Sequence, residues 1–167
     1  MYEYAPLLTK RRERLISILL LFLGLGLFGF SQIKGIPFPV IYQMLGVFAL
    51  TATVILAARY LMRRYVYSVV PQTDEPGAPL DLVITEYYGR RISVVCRVSV
   101  SDIEEILPIT GDTKKKIREK QQDRLFYDYT ADLFSQNRYL VIATDGEHRF
   151  CARILANEEL LKWLGKA

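Results

Sequence analysis

Two long stretches of this chain carry no charge. No charged side chain occurs in residues 15–33 or in residues 35–58, and Lys34 is the only charge between them. A helix needs roughly 20 apolar residues to cross a hydrocarbon core of about 30 Å. Residues 15–33 and 36–60 both meet that length. Only Lys34, Gly35 and the Pro37/Pro39 pair separate them, so the chain has to turn tightly and come straight back. Backbone polar groups in lipid must be satisfied within the protein, which predicts a hairpin of two transmembrane helices.

The cations give the hairpin a direction. Lys10, Arg11, Arg12 and Arg14 precede the first span, Arg59, Arg63 and Arg64 end the second, and the turn has Lys34 alone. By the positive-inside rule both termini are expected in the cytoplasm, with the basic N-terminus as residues 1–14. The alternative, a cleaved signal peptide, fits the basic start and greasy middle, but Gly29-Phe30-Ser31 is a poor cleavage site. The spacing Gly24-x-Gly26-x-x-Gly29 matches a dinucleotide fingerprint, which has meaning only between a strand and a helix. Inside an apolar span it is accidental. Gly24, Gly26 and Gly29 are instead expected to let the helices approach, facing Ala49, Thr53 and Ala57, which recur every four residues on the second span. Apart from Arg59 at the end of the second, no Asp, Glu, Arg or His lies within either span, so no proton relay or ion path is indicated. Gln43 is the most polar side chain of the second span and is expected to bond across to the first.

Charge divides the chain again at its soluble part. Of 22 basic and 18 acidic residues, eight and two lie in residues 1–64, leaving 14 and 16 in residues 65–167, a net of −2 there. The basic character therefore belongs to the membrane flanks, and a nucleic-acid partner is not expected.

From residue 65 the apolar pattern changes to period two. Residues 65–70 (YVYSVV) lead away from the spans, and 71–79, with three prolines and a glycine, read as a loop. Residues 80–87 and 91–98 alternate on either side of Tyr88-Gly89-Arg90 and predict a β-hairpin, with Ile92, Val94 and Cys96 on one face. Residues 101–106 begin either a helical turn or a strand through Leu107-Pro108-Ile109. Residues 111–122 are polar and lysine-rich, and alternation resumes at 125–130, 139–144 and 149–155, with Asp145-Gly146 a turn signal between the last two. Asn157 is a good N-cap for a short amphipathic helix bearing Leu160, Leu161 and Leu164. The expected fold is thus a membrane α-hairpin followed by a mainly-β barrel or sandwich of six or seven antiparallel strands, residues 65–167, capped by a C-terminal helix.

Several local phrases carry a resemblance. Tyr65-Val66-Tyr67-Ser68 leaving the membrane, the hairpin around Tyr87-Tyr88-Gly89-Arg90-Arg91, the stretch from Val98 to Ile106 and the closing helix resemble the bacterial pleckstrin-homology-like (PH-like) domains that follow a transmembrane hairpin. The resemblance covers roughly residues 60–167. It implies a seven-stranded, two-sheet barrel capped by the helix, in a bacterial plasma membrane, and no assigned chemistry. The insert at 111–122 departs from it.

Reactive groups do not converge in the sequence. His148 is the only histidine, so no Ser/His/Asp arrangement has a second candidate, and no ligand spacing supports a metal. Glu104-Glu105 and Glu158-Glu159 are adjacent, a spacing that does not share a helix face. Cys96 and Cys151 sit in apolar runs as small core residues. No catalytic residue, cofactor or metal is expected. The one suggestive cluster is Lys114, Lys115, Lys116, Arg118 and Lys120, with Arg124 beyond. Near a bilayer such residues gain about 1 kcal/mol each from anionic headgroups, whereas a solvated loop is the plain reading. The tyrosines suit interfacial or cross-strand packing. Three functions follow: a non-enzymatic membrane-anchored module that binds a protein partner or assembles with itself, an anionic-lipid sensor using that loop, or an accessory subunit whose hairpin is the working part.

Overall fold

The computed structural model describes residues 1–6, 10–75, 77–111, 113, 117, 118, 124–146 and 148–165. The chain divides into a helical unit, residues 8–63 with 131–133, and a β unit, residues 1–7, 64–130 and 134–167.

The helical unit is two antiparallel helices, α1 (Arg11–Phe30) and α2 (Pro39–Leu56), the second running on through a π-helical turn, Ala57–Leu61. Each is long and apolar enough to cross a membrane. The helices start and stop away from the charge-free limits. α1 begins four residues before residue 15 because Arg and Glu are good helix formers, and it stops at Phe30. α2 starts with Pro39 in its first turn, where a missing N–H costs nothing. The residues between them carry the turn, with Phe38 held at φ 56°, the only non-glycine with positive φ among the described residues. Lys10 Nζ donates to the carbonyls of Leu61 and Arg63 at the open end, and Phe30 packs edge-on against Tyr42 at the turn end.

The β unit holds eight strands among the described residues, in two four-stranded sheets. The first sheet has the order β1-β2-β3-β4, from β1 (Tyr2–Tyr4), β2 (Arg63–Pro71), β3 (Leu80–Tyr88) and β4 (Arg91–Ser99). The second has the order β5-β7-β8-β6, from β5 (Ile103–Pro108), β6 (Leu125–Asp128), β7 (Arg138–Asp145) and β8 (His148–Leu155). The helix α3 (Glu158–Trp163) closes the chain, capped by Asn157, whose side chain accepts from the Leu160 N–H at 2.9 Å.

Alternation does most of this work. Tyr65, Tyr67 and Val69 of β2 and Leu82 and Ile84 of β3 point inward and are buried. In the second sheet Leu107, Leu140, Ile142 and Cys151 form one buried cluster with Ile117. Residues 100–106 satisfy both readings of that segment, as a 3-10 turn (Val100–Asp102) followed by β5.

Two features depart from the expected set of antiparallel strands in residues 65–167. The edge strand β6 pairs with β8 in parallel. The β unit also takes in the N-terminus: β1 pairs antiparallel with β2, with Tyr2 opposite Val69 and Tyr4 opposite Tyr67. Tyr2 stacks on Trp163 and its hydroxyl lies 3.1 Å from Glu159, so α3 helps hold β1. In chain order the helical pair therefore falls between the first two strands of one sheet.

Candidate functional site

One open sheet edge is β4, which among the described residues has β3 on one side and no strand on the other. Its register with β3 explains its surface. Leu82 faces Val98 and Ile84 faces Cys96, but Thr85 faces Val94, so Val95 is an extra residue and the strand bulges there. A one-residue offset moves side chains to the opposite face. Ile92 and Val94 are thereby separated from Cys96 and Val98, and they are 65% and 61% exposed. This corrects the expectation that Ile92, Val94 and Cys96 share one face. The carbonyl of Val95 accepts from the Tyr129 hydroxyl at 3.2 Å, which leaves residues 91–94 as the open part of the edge. Arg90 and Arg91 begin it, both exposed, at a two-residue turn whose first position, Gly89, has φ 59°. A single positive φ at that position suits a type II′ turn, which only glycine enters cheaply.

Tyrosines hold the base of this edge. Tyr67 is fully buried, and its hydroxyl donates to the Tyr129 carbonyl at 2.7 Å while accepting the Leu155 N–H at 3.2 Å. One phenol thus joins β2 of the first sheet to β8 of the second. Tyr129 packs edge-on against Tyr65 and stacks on Tyr127. The Tyr65 hydroxyl donates to Glu86 at 3.1 Å. Burial raises the Tyr129 hydroxyl above the ordinary tyrosine range, with Cys96, Tyr127, Tyr65 and Glu86 adding to the effect. At the other end of the hairpin Asp81, itself buried, bonds Gln72 at 2.6 Å and Arg97 at 2.7 Å. Burial works against its ionisation, but the Gln72 and Arg97 contacts prevail and hold the carboxyl below the usual carboxylate range. Because the folded value is depressed, this stabilisation is present above about pH 4 and is lost as pH falls through the folded value. Asp81→Asn is accordingly expected to weaken the β unit at pH 7 and to flatten its acid unfolding profile below pH 4, measured by urea titration across pH.

The face on which the helices meet differs from the expected one. Gly24, Ala49 and Thr53 are buried between them. Gly26 and Gly29 are exposed, and a Cβ built at either meets nothing within 4 Å. The reason is the helical period: residues two or five positions from Gly24 lie more than 100° around the helix, whereas Ser17 and Ser31, seven away on either side, are buried with it. Ala57 is half-buried where α2 widens into the π turn. The partner of Gly24 is Gly46, which the four-residue spacing of Ala49, Thr53 and Ala57 passes over. A Cβ on Gly46 would come within 3.0 Å of the Gly24 carbonyl oxygen. Glu13, buried at the start of α1, accepts from the Leu133 N–H at 3.0 Å, which fixes residues 131–133 to the helical unit.

Of the basic cluster, Lys114, Lys115, Lys116 and Lys120 lie outside the described residues. Arg118 is exposed, and Arg124 is half-buried with one terminal guanidinium nitrogen buried and without a partner. His148 is exposed at the start of β8. Cys96 and Cys151 form no disulfide, and the latter is fully buried. Among the described residues no group of His, Cys, Asp and Glu is arranged to hold a metal ion. Compared with known protein families, curated proteins and solved structures, the chain matches none of them.

Proposed function

We propose that this chain is a non-enzymatic, membrane-anchored interaction module whose β unit binds an extended protein segment along β4, from a partner or from another copy. The observation that carries the reading is the open edge at residues 91–94, with Ile92 and Val94 turned outward by the bulge. An unpaired edge gives a docking strand its main-chain hydrogen bonds, and alternating apolar side chains give it register. Arg90 and Arg91 favour an acidic residue at the end of the incoming strand.

Anchoring is supported by the surface of the helical pair. Phe22 is 68% exposed and Phe48 75%, and Leu19, Leu25, Ile41 and Val54 all exceed half. Soluble monomers rarely carry so much contiguous apolar surface, and lipid covers it without cost. With the basic flanks gathered at the open end, the bilayer is the bacterial plasma membrane and both termini are cytoplasmic. The PH-like reading rests on residues 60–167, where seven strands, β2 to β8, fall in two sheets and are followed by a helix; the parallel pairing of β6 with β8 departs from it.

The test is crosslinking of the tagged full-length protein in native membranes, followed by mass spectrometry. The wild type is expected to yield one stoichiometric partner or a discrete homo-oligomer. Ile92→Lys with Val94→Lys is expected to reduce that yield at least ten-fold while leaving the urea midpoint within the scatter of the wild type. Equal capture by the double variant removes β4 as the site. Co-purification of anionic lipid alone, lost when Lys114, Lys115, Lys116, Arg118 and Lys120 become serine, moves the function to lipid sensing.

A further inference from the structure

The hairpin carries a polar group that its own fold leaves unused. Gln43 was expected to bond across to α1, yet its amide makes no hydrogen bond with any described residue. Three other polar side chains of the hairpin are satisfied within their own helices. Ser31 donates to the Phe28 carbonyl at 2.6 Å, Thr51 to Val47 at 2.9 Å and Thr53 to Ala49 at 2.9 Å. Ser17 Oγ also lacks a partner, but it is buried inside the pair and out of reach of a second molecule. Gln43 instead lines an outward-facing groove of about 440 Å³, together with Phe28, Val40, Met44, Val47 and Thr51. The α2 members recur at three- and four-residue spacings, so they form one continuous stripe along the helix.

An amide offers donors and an acceptor, and lipid chains can bond neither. Gln43 lies four residues beyond Pro39, about 6 Å along the axis at 1.5 Å per residue, inside the apolar span near its turn end. A partner for it must therefore present a hydrogen-bonding group at that same depth on an otherwise apolar helix. A second copy of this chain inserted in the same direction does so by symmetry. In a two-fold pair each Gln43 donates to the carbonyl of the other, giving two reciprocal bonds, and the two grooves face one another. We infer that the hairpin is a homodimerisation element, with α2 packing against α2 of a second copy through the Gln43 groove. This surface is separate from the β4 edge and goes beyond the docking proposed there.

The experiment uses the full-length chain, labelled on a terminal tag and reconstituted in phosphatidylcholine vesicles at decreasing protein-to-lipid ratio. Subunit number is read by single-molecule photobleaching. Two-step bleaching is expected for the wild type. Gln43→Leu is expected to weaken association about ten-fold, and Val47→Trp, which fills the groove, to weaken it at least as much. Both changes lie on the outer face, and unchanged helical circular dichroism shows the hairpin intact. The Ile92→Lys/Val94→Lys double variant separates the two surfaces, because association through the groove persists in it. Single-step bleaching of the wild type at every density overturns the inference, as does association that survives Gln43→Leu but is lost in the β4 double variant.

Discussion

Tyr67→Phe is expected to lower the stability of the β unit by about 2–4 kcal/mol, although it removes a single oxygen atom. That oxygen has two buried backbone partners, the Tyr129 carbonyl and the Leu155 N–H. Leaving a buried backbone group unpaired costs about 1–3 kcal/mol, and here two are left at once, one just after β6 and one at the end of β8. A loss of that size is a large share of the 5–15 kcal/mol that typically separates folded from unfolded. Urea unfolding of the full-length protein in detergent, followed by Trp163 fluorescence, reads it directly, since Trp163 is the only tryptophan. A loss below about 0.5 kcal/mol, well under the range for even one unpaired group, would mean that the two backbone groups find other partners.

The same hydroxyl sets an alkaline limit. Burial pushes its ionisation far above the ordinary tyrosine range; the Leu155 N–H opposes this, while Tyr65, Tyr4 and Asp128 add to it. The folded value lies above the unfolded one near 10, so the unfolded chain loses this proton first. Stability is therefore intact below about pH 10 and falls above it, by at most about 1.4 kcal/mol per pH unit for this group. Tyr129 acts in the same direction. In Tyr67→Phe the alkaline slope becomes shallower, which separates the phenol's ionisation from general loss of packing.

Gly46→Val is expected to do comparable damage to the helical pair, on the order of 1–3 kcal/mol, the range for overpacking a close contact. The new Cβ would meet the Gly24 carbonyl oxygen at 3.0 Å and the Phe28 nitrogen at 3.1 Å. Both are backbone atoms, so relief requires the helices to part. At Gly24 a Cβ would meet Leu50 Cγ and Cδ2 at 2.8 and 2.9 Å and the Gly46 carbonyl oxygen at 3.1 Å, so backbone is in the way there too. Gly24→Val is expected to part the helices as well, whereas Gly26→Val and Gly29→Val are close to neutral because nothing lies near their Cβ positions. Spin labels at Leu25 and Val47, with Cys96 changed to serine, measure the separation. Widening in Gly46→Val with none in Gly26→Val is the expected pattern; equal widening in both would place the contact on another face.

How much of this was legible in the sequence depended on the range over which each feature is encoded. The helical pair was visible because a charge-free run of that length has few other uses, and strands β2 to β4 and β6 to β8 because period two is a local property, while β5 stayed open between a helical turn and a strand. The closing helix was announced by Asn157. What escaped was set by pairing across distance. Val95 looks like any other residue in RISVVCRV, and only its register with β3 shows that it is extra and turns Ile92 and Val94 outward. Tyr2-Glu3-Tyr4 is too short to display a period, so its membership in the first sheet could not be read locally. Gly46 escaped because the spacing of Ala49, Thr53 and Ala57 suggested a straight four-residue row, whereas the packed face runs Gly46, Ala49, Thr53. The outward turn of Gln43 is likewise a property of the pair rather than of either span.

The pairing of β1 with β2 also sets an order of assembly. Tyr4 and its register partner Tyr67 are 63 positions apart, and everything between them includes both apolar helices. β1 precedes both helices in the chain and therefore waits, unpaired, until β2 has followed. Closing a loop of that length carries an entropic cost that a short hairpin between neighbouring strands does not. A fragment begun after the helices would lack that strand, and one side of β2 would be bare over residues 67–69.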